Sequence, residues 1–303
     1  MFSLLTLNLH TYQQHPRHNC FEAMHLHERE MHIIAEAVAQ QDIDAICFQE
    51  VGEYRHDPIA QPYGEAPSNM AFRICRRLRE WGHWFHIHQD WSHIGFQRWR
   101  EGTAILSRHP LRHNYSAYVS YNCSKDHNMS RNVTVSCIDL PRFGLLHIAN
   151  VHLSWAHHGF HEENANLKRL IASRYHFGVR GDLIVGDFNA PAGEQAYRHI
   201  VGNGEYIDQY HELHPQRFYE PIFRGQIDGW RHSPPRRIDY IFKAVFAFVV
   251  GLAPAYPKGT SGLPGPRSHG WQSFNTSLCP GSRQSTCALW VCRDDGFDLI
   301  CNY

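Results

Sequence analysis

No stretch of the 303-residue sequence approaches the roughly 20 consecutive apolar residues that a membrane-spanning helix needs, so a helical membrane protein is not expected. The N-terminus also lacks a basic segment followed by an apolar run and a small-residue cleavage site. Phe2-Ser3-Leu4-Leu5-Thr6-Leu7 reads at once as a strand, and the expected location is cytoplasmic. An excess of charge is missing too: 29 Lys and Arg stand against 29 Asp and Glu. No basic field would draw the chain to nucleic acid or to an anionic membrane, which weighs against a non-specific nuclease without removing it. The nine cysteines are odd in number and contain no C-x-x-C pair, which fits buried free thiols better than a disulfide framework or a zinc site. There are no histidine tracts; the 25 histidines are scattered, as surface residues would be.

What is present suffices for a folded domain, since 43% of the residues are hydrophobic. Residues 2–8 read as a strand, and His25 to Gln40 as a helix with Ile33, Ile34, Ala37 and Val38 on one face. Ile43 to Phe48 reads as a buried strand ending at Gln49-Glu50, and Asn69 to Trp81 as an amphipathic helix. Further strands are expected at Gly102–Ser107, Asn132–Ile138, Gly144–Leu153, Leu183–Val185 and Ile238–Phe242, with a helix between Glu162 and Tyr175. Few strands are separated by a full crossover helix. The expectation is therefore an α+β sandwich of two packed, mainly antiparallel sheets flanked by helices, not a doubly wound sheet. No repeat or linker divides residues 1–243.

The polar signals gather at strand ends, where rigid elements can aim side chains into a cleft. Glu50 follows an apolar run, and a carboxylate there suits Mg²⁺, a hard cation that prefers oxygen. Asp187 and Asn189, in Gly186-Asp187-Phe188-Asn189, are two apart and share a face of an extended chain. One can accept a proton or hold a water, and the other can donate to a phosphoryl oxygen. His152 ends another strand, and Glu101 is available to fix its tautomer through one ring nitrogen, leaving the other for a phosphate. Asp239 could orient a second histidine in the same way, and Arg131 offers a fork of donors to a phosphate. Taken singly, each has an ordinary reading: a surface acid for Glu50, a turn for Asp-x-Asn, a structural imidazole for His152, and no preference for Asn8.

Together, Leu7-Asn8, Gln49-Glu50, the segment from Glu101 to Arg108, Asn150-Val151-His152, Gly186-Asp187-Phe188-Asn189 and Arg237-Ile238-Asp239-Tyr240 resemble the endonuclease/exonuclease/phosphatase superfamily. The resemblance spans residue 1 to about 243. It implies a four-layered sandwich with the site at one end, and a divalent metal, Mg²⁺ with Mn²⁺ as the alternative. It implies that Glu50 holds the metal with help from Asn8, that Asp187 and Asn189 position and activate the attacking water, and that His152, supported by Glu101, binds the scissile phosphate. Attack would be in line and without a covalent intermediate.

Further stretches resemble the maltose 6′-phosphate phosphatases of bacterial sugar metabolism. These are His93-Ile94-Gly95, Glu101 to Ser107, His152-Leu153-Ser154-Trp155 with Gly159-Phe160, and Ile227-Asp228-Gly229-Trp230. Trp155 and Trp230 could then stack on a sugar ring and Asp228 bond its hydroxyls; simple packing of both tryptophans is the equal alternative. The expected substrate is a small phosphorylated sugar, with a DNA nuclease and a catalytically impaired member of the superfamily as the competing readings.

The pattern changes after about Lys243, which sets expected boundaries of 1–243 for the domain and 244–303 for an atypical, poorly ordered segment. Residues 254–280 are rich in Gly, Pro and Ser, and Cys279, Cys287, Cys292 and Cys301 crowd the tail. The superfamily closes with Ser-Asp-His, where this chain has Pro266-Arg267-Ser268-His269-Gly270. His269 stands at about the right distance after Asp239 to be the second catalytic histidine, but the Asp is absent. Codons CGA, TCA, CAT and GGN for Arg267 to Gly270, read one base later, encode Asp-His-Met. A frameshift after Lys243 would thus explain the tail and predicts disrupted C-terminal strands with exposed sheet edges.

Overall fold

The computed structural model describes residues 2–11, 28–58, 66–173, 178–220 and 236–245, and the backbone of a strand at 287–292. Among the described residues eleven strands form two mixed sheets. In chain order they are β1 (Phe2–Asn8), β2 (Ala45–Tyr54), β3 (His86–Gly95), β4 (Trp99–Ser107), β5 (Leu111–Tyr118), β6 (Asn132–Leu140), β7 (Gly144–His152), β8 (Val179–Asp187), β9 (Tyr206–Asp208), β10 (Asp239–Ala244) and β11 (Cys287–Cys292). The first sheet runs β11-β1-β2-β4-β3 and the second β5-β6-β7-β8-β10-β9. Only β1 with β2 and β7 with β8 pair in parallel.

The period of two along each strand divides its residues between two cores. Leu4, Ala45, Cys47 and Ile105 of the first sheet meet Ile138, Leu146, Ile148, Leu183, Val185 and Ile241 of the second. Their neighbours of opposite parity face helices. Leu5, Leu7, Ile46 and Phe48 pack on α1 (Glu28–Gln40) and α2 (Met70–Glu80) through Met31, Ala35, Ile74 and Leu78. Val133, Val135, Ala149, Val151 and Ile184 pack on α3 (Phe160–Ser173) and α4 (Gln195–Val201) through Phe160, Leu167 and Ile200. The result is the expected four-layered sandwich, helices outside two sheets.

Local chemistry sets the helix ends. Asn69 caps α2 by accepting the Phe72 N–H at 2.9 Å, and its amide donates to Glu53 at 2.8 Å and Gln89 at 2.7 Å, tying the helix start to the first sheet. Arg77 and Arg79 complement the dipole in the last turn.

The chain's last strand and its cysteines are among the features that differ from the sequence reading. Cys287–Cys292 pairs antiparallel with Phe2–Leu7 of β1, covering an edge that was expected to be exposed. Trp290 and Val291 favour an extended chain, and β1 offers an open row of backbone partners. Of the described cysteines, Cys47, Cys75 and Cys137 are buried free thiols as expected, while Cys123 is exposed. Among the described residues no helix is long and apolar enough to cross a membrane.

Candidate active site

At one end of the sandwich the inter-sheet face of each strand turns from apolar to polar. Leu4 and Thr6 lead to Asn8, Leu183 and Val185 to Asp187, and Leu146 and Ile148 to Asn150 and His152. On strands running the other way, Ile105 and Thr103 lead to Glu101, and Ile241 to Asp239. The strands pair so that His152 and Asp239 both lie opposite Asp187. A cleft of about 640 Å³ opens there, lined by Asn8, Glu50, Glu101, Arg131, His152, Trp155, Asp187, Asn189 and Asp239 among others.

Glu50 reaches this cleft by breaking the alternation. The pairing of β2 with β4 shifts between Phe48 and Val51, and Glu50 sits in the shift with φ of 48°. Such a bulge re-aims one side chain, here a carboxylate that would otherwise face α1 and α2. The Phe48 carbonyl accepts the Asn150 amide at 2.9 Å, and so does the Ala104 carbonyl. Gln49 donates to Asn150 Oδ1 at 2.7 Å, so a buried amide pair joins the two sheets beneath the cleft.

Asn8 bridges two carboxylates: its amide nitrogen is 3.0 Å from Glu50 Oε1 and 3.1 Å from Asp187 Oδ2, while its oxygen accepts the His10 N–H at 2.9 Å. Asp187 Oδ1 accepts the Asn189 N–H at 2.9 Å. Asn189, also at φ of 48°, spends one amide hydrogen on the Leu153 carbonyl at 2.8 Å. Gly186 has φ of 136°, and a Cβ there would stand 2.1 Å from the Val151 carbonyl oxygen, so only glycine admits this approach of β8 to β7.

Arg131, just before β6, places its Nε 3.3 Å from Ser154 Oγ. Ser154 is in turn fixed by Glu163 of α3, whose carboxylate accepts its N–H at 2.7 Å. Burial, more than any neighbour, raises the pKa of Glu163.

Glu101 does not support His152 as the sequence suggested. It lies opposite His93 on the β3–β4 hairpin, with 3.5 Å between Oε1 and His93 Nε2. His93 Nδ1 is 3.1 Å from the Ser130 carbonyl. The acid nearest His152 Nε2 is Glu50, at 3.9 Å. The reason is register: β4 runs beside β3, and the hairpin sets residues 93 and 101 directly across from each other. Asp228, Trp230 and His269 lie outside the described residues. Sequence reasoning missed His10, 3.7 Å from Glu50, and quoted His93 only within a resembling stretch, with no role; the β3–β4 hairpin, had it been recognised, would have revealed that role.

The charges are unbalanced. Burial first, then Glu101 and Asp187, pushes Glu50 up to about 8, against the bond from Asn8 and the charge of Arg131. Burial pushes Asp187 up to about 6, opposed by the bonds from Asn189 and Asn8. Asp239 is raised well above the carboxylate range by burial and then by Asp187 and Glu50. His152 is lowered well below the usual imidazole value, chiefly by burial and then by Arg131 and His93. Crowded buried acids of this kind hold protons unless a cation is supplied. The donors at hand are oxygens, the set a hard dication takes. Among the described residues no three Asp, Glu, His or Cys side chains form a ready-made ligand group.

Several solved structures share this fold. A solved endonuclease/exonuclease/phosphatase family protein from Leptotrichia buccalis C-1013-b superposes with a TM-score of 0.63 at 22% identity, covering 80% of this chain and 88% of its own. The mannosyl-6-phosphatase of Bacteroides thetaiotaomicron VPI-5482 gives 0.54 at 15% identity, covering 81% and 86%. The human Nocturnin catalytic domain gives 0.53 at 15%, covering 80% and 82%. At these identities the likeness is one of fold. No curated protein sequence matches. The profile of the Endonuclease/Exonuclease/phosphatase family matches residues 26–271, past the expected boundary at 243 and through His269. The chain therefore belongs to the endonuclease/exonuclease/phosphatase family, whose members are hydrolases acting on phosphoesters.

Proposed function

We propose that the protein is a Mg²⁺-dependent phosphatase of small phosphorylated sugars, of the maltose 6′-phosphate type. The observation that carries this reading is the charge of the cleft wall. Among the described residues Arg131 is the one Lys or Arg lining it, facing Glu50, Glu101, Asp126, Asp187 and Asp239. One fork of donors suits one phosphoryl group on an uncharged alcohol. A nucleic-acid strand carries a phosphate at every residue and is gripped by several cations, so it would meet repulsion here. The solved mannosyl-6-phosphatase of like fold is consistent with a sugar phosphate.

Glu50 and Asn8 would hold Mg²⁺, with Asp187 close by; when bound, the ion supplies a positive charge against the phosphoryl oxygens. Arg131 binds and orients the phosphate through the guanidinium nitrogens that Ser154 leaves free. His152, kept neutral by burial, donates one ring N–H to a phosphoryl oxygen. Asp187, with Asn189 and Asn8 fixing its carboxylate, holds the water in line with the ester bond and takes its proton. The water oxygen bonds to phosphorus, the ester P–O bond breaks, and the alcohol leaves with a proton without a covalent intermediate.

His269, oriented by Asp239, would supply that proton. Two observations support the tail as a divergent closing element over the out-of-frame reading: the family match runs through His269, and Cys287–Cys292 takes the place of a closing strand on β1. The nucleotide sequence decides, since any Ser268 codon other than TCA removes the hidden Asp-His.

The salt dependence of kcat/KM tests the substrate class. A single phosphate contact gives a slope against log salt of about one or less, whereas a nucleic-acid substrate gives a steep slope of several units.

A further inference from the structure

The turn joining β3 to β4 carries two features that neither folding nor packing calls for. Its central residues, Phe96 and Gln97, both hold positive φ, 49° and 58°, within a turn closed by the Arg98 N–H on the Gly95 carbonyl at 3.0 Å. Hairpin turns with this backbone favour Asn and Gly, and an aromatic residue is strained there. Phe96 is also 57% exposed, an apolar ring left in water beside the cleft that it lines together with Gln97. Strain and exposure at one residue are kept where they serve a ligand.

The turn is held, not loose. Arg55 donates from its side chain to the Gln97 carbonyl at 3.0 Å and from its backbone to the Arg98 carbonyl at 2.9 Å. The Ile94 N–H bonds the Lys125 carbonyl at 2.8 Å, fixing the hairpin to the loop that brings Asp126 and Asn128 to the same cleft. Phe96 therefore presents a positioned aromatic face among uncharged and acidic hydrogen-bonding groups.

We propose that the Gly95–Arg98 turn is the specificity element of the site, Phe96 stacking on the uncharged ring of the leaving alcohol and Gln97 bonding its hydroxyls. The inference rests on the phosphomonoester reading above and names the part of the substrate that this wall selects.

The test replaces Phe96 by Asn, which tolerates the left-handed backbone and removes the ring, and by Tyr, which keeps the ring. Phosphate release is measured with a cyclic sugar 6-phosphate and with methyl phosphate. Phe96→Asn should raise the thermal midpoint by about 1–3 °C through relief of strain, and lower the selectivity for the ring-bearing ester by roughly tenfold, mainly through KM. Phe96→Tyr should restore that selectivity. An unchanged ratio between the two esters in Phe96→Asn, or a lowered midpoint, would overturn the proposal. If the wild-type chain hydrolyses neither ester, the phosphomonoester reading fails and this inference with it.

Discussion

Glu101 closes on His93, with 3.5 Å between its Oε1 and the imidazole Nε2. The Ser130 carbonyl at Nδ1 can only accept, so the ring donates there and a neutral His93 has no second proton to give. Glu101→Gln supplies an amide donor toward Nε2 and removes a negative charge beside Glu50. It should leave the thermal midpoint nearly unchanged and weaken Mg²⁺ binding several-fold, by calorimetry. A severe loss of stability would mean that Glu101 is structural instead.

Arg131 is held by Ser154, and Ser154 by Glu163. Arg131→Ala should raise KM and the inhibition constant of inorganic phosphate together by roughly ten- to hundredfold, the worth of charged hydrogen bonds. Glu163→Ala should give a smaller rise of the same kind, and Glu163→Gln, which retains an acceptor for the Ser154 N–H, should recover most of it. Steady-state kinetics with phosphate as product inhibitor measures all three.

Gly186 admits no side chain, because its φ is 136° and a Cβ would stand 2.1 Å from the Val151 oxygen. Gly186→Ala should cost about 3 kcal/mol of stability or more, read from chemical denaturation, and displace Asp187. A fully active and stable variant would contradict the described approach of β7 and β8.

The raised carboxyls make stability depend on pH. Glu50 moves from 4.5 to about 8 and Asp187 from 3.8 to about 6, so the folded chain binds their protons more tightly than the unfolded chain does. The sign follows: their contribution is fully present below about pH 4 and is lost as pH rises toward about 8. The lowered histidines, His88, His93, His152 and His214, act in the opposite sense below about pH 6.5, so in a chelator the thermal midpoint should fall from about pH 6.5 to 8, where Glu50 alone of these groups still titrates, and Mg²⁺ should restore it most at the alkaline end. A midpoint in chelator that is flat or rises between about pH 6.5 and 8 would contradict the charge imbalance.

Much of the site was legible because the period of two places it. Leu4-Thr6-Asn8 and Leu183-Val185-Asp187 each aim their last residue where the apolar ones point, between the sheets. Glu50 reaches the cleft against that parity, through a bulge that composition does not announce. Strands β3 and β5 escaped the reading for another reason. They form sheet edges, where partial exposure removes the need for apolar alternation, and His86-Ile87-His88-Gln89-Asp90 or Arg112-His113-Asn114 carries none. Missing β3 hid the pairing of His93 with Glu101.

The most direct test is phosphate release from maltose 6′-phosphate by the full chain, with Mg²⁺ and with a chelator, beside a plasmid-nicking control. The account predicts release that requires Mg²⁺ and no nicking; nicking without phosphate release, or release undiminished by the chelator, would contradict it.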